Sequence, residues 1–247
     1  MTSYDAGKFF DELFSDRDSG SAQVALIRER LGRLTFEDLR RRSQDAEREL
    51  YNLGITFLVY SDKDAVDRIL PFDLIPRIVT AKEWARLEAG VVQRVAALNL
   101  FLHDIYHDQK ILKDGVVPRD LVEGNANFRP QMIGVDLPFD TYIHIMGVDL
   151  VRDGEGVFRV LEDNGRVPSG VSYVVENRHM MQRVFPDLMT GFGIRPVDNY
   201  GHKLLEAMCE IARYDGETPE VALLSPGSYN SAYFEHIFLA REMGVPL

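Results

Sequence analysis

The stretch from Gly147 to Gly170 sets hard oxygen donors at the ends of two predicted strands. It reads Gly147-Val148-Asp149-Leu150, then Asp153-Gly154-Glu155-Gly156, then Leu161-Glu162-Asp163-Asn164-Gly165-Arg166-Val167-Pro168-Ser169-Gly170. In an extended strand Glu162 and Asn164, two apart, point to one face and Asp163 to the other. A hairpin turning symmetrically about Gly154 and Glu155 sets position 149 opposite 160. Asp149 then shares the face of Glu162 and lies diagonally beside it, whereas a slip of one residue moves it to the other face. Two carboxylates and one amide oxygen, completed by nucleotide phosphates and water, suit an octahedral Mg²⁺. Glu-x-Asn alone is too common a triplet to carry that reading, and the weight rests on the residues after it. Gly165, Pro168 and Gly170 make a tight turn, and Arg166 offers a planar cation to phosphate or carboxylate. Ser169 is placed to cap a helix whose N-terminus attracts anions. The plain alternative is an exposed hairpin end with a solvated acidic cluster, leading into a capped helix.

Other constellations are weaker. His103-Asp104-Ile105-Tyr106-His107 puts two imidazoles on one helical face at metal-binding spacing. No third ligand matches them, and the glutamate of a His-Glu-x-x-His site is replaced by Asp104, so the pair reads as structural. Ser225-Pro226-Gly227-Ser228-Tyr229-Asn230-Ser231 joins an expected strand to an expected helix and can offer amides to an anion. It lacks the glycine pattern of a dinucleotide site. Cys209, beside Leu205 and Ile211, reads as core, and Trp84 and the Met180-Met181 pair as packing.

These residues need elements to position them. Phe36, Leu39, Ala46, Leu50 and Leu53 recur at helical spacing behind a capping box of Thr35 and Asp38, with Gly54 at the C-terminal cap. Ile55 to Tyr60 is a short β-prone run. Thr80 and Glu83 form a second capping box, and the stripe Trp84, Leu87, Val91, Val95, Leu98 and Ile105 predicts a long helix to about His107. Tyr142–Val151 and Val157–Leu161 read as a hairpin, and helices come next over about 171–184, 198–214 (closed by Gly216) and 232–243. Val221–Ser225 reads as a strand buried on both faces, and Val245–Leu247 as the start of another, so the chain is expected to be a fragment that stops midway through a β-α-β unit.

Composition bounds the function. The 247 residues are 45% hydrophobic and 27% charged, enough for a substantial core. A net charge of -11, from 39 acidic and 28 basic side chains, opposes binding to a polyphosphate backbone, so no nucleic-acid partner is expected. The arginines from Arg28 to Arg42 are interleaved with acids, as on a solvated helix face. No apolar run reaches membrane-spanning length, no signal peptide is visible, and the single cysteine fits a cytoplasmic protein with no thiolate cluster.

The hairpin and loop resemble those of ATP-grasp carboxylate–amine ligases, in which Val148-Asp149-Leu150, Leu161-Glu162-Asp163-Asn164 and Pro168-Ser169-Gly170 look like the magnesium-binding hairpin and substrate loop of D-alanine–D-alanine ligases. The chain is more similar to the circularly permuted ATP-grasp proteins related to glutathionylspermidine synthases. Pro71–Arg77, Gln93-Arg94, Leu161–Tyr173 and Asn230–His236 carry that likeness, which runs from about Leu31 to the end. The resemblance implies Asp149, Glu162 and Asn164 as Mg²⁺ ligands and Arg166 as a catalytic contact for the reacting phosphate or carboxylate. It implies substrate contacts from Arg166, Ser169, Gly170, Ser172, Gly227, Ser228 and Asn230. ATP is the implied co-substrate. The lysine-bearing lobe that clamps the nucleotide is expected beyond Leu247.

The expected architecture is α/β in the broad sense (α+β): an ATP-grasp-type mixed sheet with helices and the start of a Rossmann-like domain. The expected division is a flexible arm over 1–30, a helical region over 31–110, a metal-binding portion over 111–218 and the beginning of a pre-ATP-grasp domain over 219–247. The expected reaction joins a small carboxylate to an amine or peptide through an acyl phosphate. No membrane and no particular protein partner are indicated. The rival reading is a non-catalytic binding or scaffold protein that keeps the same shell.

Overall fold

A computed structural model of the chain describes residues 7–14, 22–60, 65–69, 71–212 and 218–247. In chain order the first elements are α1 (Ala22–Gly32), α2 (Phe36–Asn52), β1 (Thr56–Tyr60), β2 (Ala65–Ile69) and α3 (Ala81–Tyr106). The short helices α4 (Lys110–Lys113) and α5 (Arg119–Glu123) precede β3 (Gly147–Arg152) and β4 (Phe158–Asn164). Then come α6 (Val171–Val184), α7 (Pro186–Met189), α8 (Tyr200–Ile211) and α9 (Tyr233–Met243). The class is α+β. Among the described residues the strands pair as two separate two-stranded sheets, β1 with β2 and β3 with β4. The chain divides into two compact units: Met1–Ile78, Arg152–Val157 and Ser169–Leu247 form the first, and Val79–Val151 and Phe158–Pro168 the second.

In the first unit both partners of the Thr35–Asp38 capping box are made. Thr35 Oγ1 accepts from the Asp38 amide, and the Asp38 carboxylate accepts from the Thr35 amide at 3.0 Å. The buried side of α2, Ala46 and Leu50, packs into a core with Val24, Ile27, Ile55, Met180, Met181 and Phe185. Arg42 lies over the Phe185 ring at 4.5 Å and donates to the Val184 carbonyl at 2.8 Å, satisfying an otherwise orphaned group at the end of α6. β1 and β2 run antiparallel, from Thr56 opposite Ile69 to Tyr60 opposite Ala65.

Within the stretch expected to be a loose arm, residues 7–14 are packed. Leu13 is buried in the core, and Glu12 pairs with Arg77 at 3.1 Å and Arg152 at 3.3 Å. Phe10 lies under the Arg152 guanidinium at 4.2 Å. The β3–β4 turn is one residue longer than the symmetric turn expected. Gly156 N donates to the Asp153 carbonyl and Asp153 N to the Val157 carbonyl, so Gly156, at φ 79°, enters as a bulge. A Cβ there would lie 2.6 Å from the Phe10 ring, so close approach as well as φ demands glycine.

In the second unit the Thr80–Glu83 capping box opens α3 as expected. Ile105, Tyr106 and Leu112 form the core, with Tyr106 stacked on Phe128 at 5.1 Å and on Tyr142 at 5.8 Å. The Asp104 carboxylate accepts from the amides of Lys110 and Ile111, each at 2.9 Å, and so starts α4.

Two further expectations change, at Trp84 and at Val221–Ser225. Trp84 is 46% exposed and packs into neither core. The last-but-one helix spans Tyr200–Ile211, and the part expected at Tyr214 and Gly216 lies outside the described residues. Val221–Ser225 forms no strand. Leu223 N donates to the Pro246 carbonyl at 2.9 Å, but Pro246 has no N–H to return a bond, and Leu224 is 94% exposed. No helix among the described residues is long and apolar enough to cross a membrane.

Candidate functional site

The hairpin brings Asp149, Glu162 and Asn164 together. Asn164 Nδ2 lies 3.4 Å from Asp149 Oδ1 and 3.4 Å from Glu162 Oε1. A Cβ built on Gly147 would stand 3.7 Å from the Asn164 Cβ. Gly147 and Asp149 therefore share one face with Glu162 and Asn164, as strand alternation requires. The two carboxylates are exposed and the amide is half-buried.

Asp163 points the other way. Its carboxylate receives Arg94 of α3 through Nε at 2.8 and 2.7 Å and through Nη2 at 2.6 Å. The Arg94 hydrogen bond holds the Asp163 carboxyl below the usual aspartate range, and the same bond raises the guanidinium. Asn99, also on α3, fixes the approach to β3. Its Oδ1 accepts from the Tyr142 and Ile143 amides, each at 2.8 Å, and its Nδ2 donates to the Ile143 carbonyl at 3.0 Å. The rear of the hairpin is thus clamped to a helix while the front face is open.

The open set fits a hard divalent cation by donor chemistry. It offers two carboxylates and an amide whose oxygen and nitrogen exchange places by a half-turn of the terminal torsion. Long 3.4 Å contacts leave that amide weakly held. Among the described residues no group of three or more His, Cys, Asp and Glu is placed to hold a metal. His103 and His107 stack at 4.2 Å, and His107 Nδ1 lies 2.9 Å from the His103 carbonyl, in keeping with their structural reading.

Arg166 comes next, on an exposed turn of the second unit. The remaining expected contacts lie in the first unit. Ser169 and Ser228 are exposed, and Gly227 and Asn230 half-buried. Ser225 Oγ lies 2.8 Å from His236 Nδ1 and accepts from Gly227 N at 3.1 Å, while the Asn230 side chain accepts from Ala232 N at 2.9 Å and starts the turn into α9. Ser172 is fully buried. Its hydroxyl donates to Glu235 at 2.7 Å, and its amide at 2.9 Å. The Gly170 amide donates to both oxygens of the same carboxylate at 2.8 Å.

Glu235 in the first unit, and Arg94 and Asn99 in the second, each position the expected residues of their own unit without any local spacing that marks them. Arg94 and Glu235 do lie inside the stretches Gln93-Arg94 and Asn230–His236 that carry the family likeness, which is their one visible signal. Their partners are 69 and 63 residues away in sequence.

Comparison with known proteins identifies the family of the chain. A family described as a circularly permuted ATP-grasp matches residues 76–247. The chain is 49% identical over its whole length to an uncharacterized protein of Synechocystis sp., covering 51% of that protein. It is 46% identical to an uncharacterized Mycobacterium tuberculosis protein over 96% of the chain and 42% of the relative. A Frankia alni protein provisionally named a glutamate–cysteine ligase is 41% identical over 96% of the chain and 28% of its own length. The chain thus spans about half the length, or less, of these curated relatives.

Proposed function

The chain belongs to the circularly permuted ATP-grasp family, and from that premise we propose that it carries the metal-binding half of an ATP-dependent carboxylate–amine ligase. The observation that supports this most directly is the convergence of Asp149, Glu162 and Asn164 on one hairpin face while Asp163 is held on the other. The Frankia relative's name favours the same reaction class.

Asp149 and Glu162 would hold Mg²⁺, with Asn164 as the neutral third donor. When bound, Mg²⁺ neutralises phosphate charge and aligns the terminal phosphoryl group. Arg166 contacts the reacting phosphate or carboxylate, where its fork matches two oxygens at once. A substrate carboxylate oxygen attacks the terminal phosphorus and ADP leaves. An amine nitrogen then attacks the acyl carbon, phosphate departs with the bonding pair, and the ammonium proton is released to solvent. The loop holding Ser169 and Gly170, and that holding Gly227, Ser228 and Asn230, contribute substrate contacts; Ser172 acts by holding the first loop to Glu235.

The test is calorimetric titration of Mg-ATP into wild type and Glu162→Gln, with hydroxylamine as surrogate amine to trap acyl phosphate as hydroxamate in a protein of the relatives' length. Glu162→Gln keeps the shape and loses a charge, so affinity falls by about tenfold or more. Equal affinity in both proteins removes Glu162 from the metal site. Tight Mg-ATP binding without hydroxamate from any small carboxylate favours the non-catalytic binding reading.

A further inference from the structure

We propose that a cavity of about 580 Å³ in the first unit binds an α-amino acid with an apolar side chain, free or at the ends of a short peptide, as its zwitterion. Its volume lies within the range of about 300–1,000 Å³ typical of small-molecule sites. Ile55, Phe234, Ile237 and Phe238 supply apolar wall, with Phe234 and Phe238 tilted against each other at 6.2 Å. Ile237 is 44% exposed, leaving apolar surface available to a ligand.

The same cavity carries both signs of charge, in Glu176, His179 and Arg183 of α6 and Arg241 of α9. Spacings of three and four place the α6 residues on one helical face. The Glu176 side chain is only 13% exposed, yet its ion partners stand at 3.6 Å (His179 Nδ1) and 3.9 Å (Arg241), beyond direct hydrogen-bond reach. A largely buried carboxylate in that state has acceptor capacity open to a donor, and an ammonium group brings three. Arg183 meets Glu49 at 2.6 Å and Arg241 meets Glu242 at 3.3 Å. Each contact occupies part of a guanidinium with five N–H groups, so donors remain for a ligand carboxylate. A dianion would meet Glu176, and a simple amine would leave the arginines unmatched. A zwitterion satisfies both.

Asn230, one of the proposed substrate contacts, also lines this cavity, so the inference rests on and extends the ligase reading; none of Asp149, Glu162 and Asn164 does, and a test without metal or nucleotide keeps failure here distinct from failure of the metal site. The experiment is calorimetric titration of the chain with the dipeptide Leu-Phe, N-acetyl-Leu-Phe, Leu-Phe amide and free leucine. Leu-Phe is expected to bind, and each blocked form to bind about tenfold more weakly, the loss expected for one charged hydrogen-bonding contact. Glu176→Gln should weaken Leu-Phe by a similar factor and leave the N-acetyl form unchanged, because that form has already lost the partner of Glu176. Free leucine binding as tightly as Leu-Phe identifies the free amino acid as the ligand, and weaker binding identifies the peptide; both support the site. No binding by either, or equal binding of the free and blocked dipeptides, overturns it. The ligand series on wild type decides the matter even where Glu176→Gln does not fold.

Discussion

Glu235 receives both the amide and the hydroxyl of Ser172, at 2.9 and 2.7 Å, and the residue is only 4% exposed. With the Gly170 amide at 2.8 Å, this puts a buried negative charge at the N-terminus of α6, where the helix has no side-chain cap of its own. Gly170, at φ 107°, takes a backbone shape few other residues adopt, and the carboxylate from α9 fixes the point where the loop becomes a helix.

Glu235→Ala should therefore lower stability by about 2–4 kcal/mol, because it strands buried donors and removes a charge from the helix terminus. Ser172→Ala, which leaves the two amide contacts in place, should cost about 1 kcal/mol. Urea unfolding of the two variants against wild type gives both values. Equal losses would mean that the hydroxyl, not the helix terminus, is what Glu235 serves.

Acid should loosen the rear of the hairpin. Arg94 holds the Asp163 carboxyl below its ordinary value, so this pair stabilises the fold above the unfolded-state pKa of about 3.9. That contribution fades as pH falls through the lower, folded value. Asp163→Asn should reduce the stability at neutral pH and flatten its decline below about pH 4. Thermal unfolding across pH 2–6, roughly the span in which carboxylates titrate, checks it. An unchanged acid limb in the variant would sink the pairing as a source of stability.

Legibility in the sequence depends on the distance between partners. Both capping boxes, Thr35 with Asp38 and Thr80 with Glu83, lie within one helical turn and are visible as spacing. The shared face of Glu162 and Asn164 follows from strand alternation, and Asp149 joins them although the turn holds an extra residue at Gly156. Glu235 shows only through the family likeness of Asn230–His236, because its partners sit 63 and 65 residues away and no local spacing marks it. Val221–Ser225 misleads for a different reason. Its apolar run has strand composition, but pairing is a property of the neighbour, and the neighbour that faces Leu223 is a proline.

Gly147 is a glycine of close approach. A Cβ there would lie 3.0 Å from the Pro168 Cβ, so the strand carrying Asp149 and the loop carrying Arg166 are in contact at that point. Gly147→Ala should cost about 1–2 kcal/mol through overpacking and should weaken cation binding at the hairpin by shifting Asp149. Paired urea unfolding and Mn²⁺ titration test the two effects. A stable variant with unaltered Mn²⁺ affinity would show that Pro168 yields without cost.

Asn164→Asp separates a ligand from a structural amide. Here Asn164 Nδ2 stands between two carboxylates at 3.4 Å, and a third carboxylate in its place adds like-charge repulsion in the metal-free chain. If the set holds a divalent cation, the same change adds a charged oxygen donor, so the variant should be less stable than wild type without metal and recover with Mg²⁺ or Mn²⁺. Its Mn²⁺ affinity should exceed that of wild type, by about tenfold for one added charged contact. If the amide serves only to bridge Asp149 and Glu162, the destabilisation should appear and the metal should not reverse it. Unfolding curves of wild type and Asn164→Asp, each with and without saturating Mn²⁺, distinguish the two, and loss of stability with no metal-dependent recovery would remove Asn164 from the proposed ligand set.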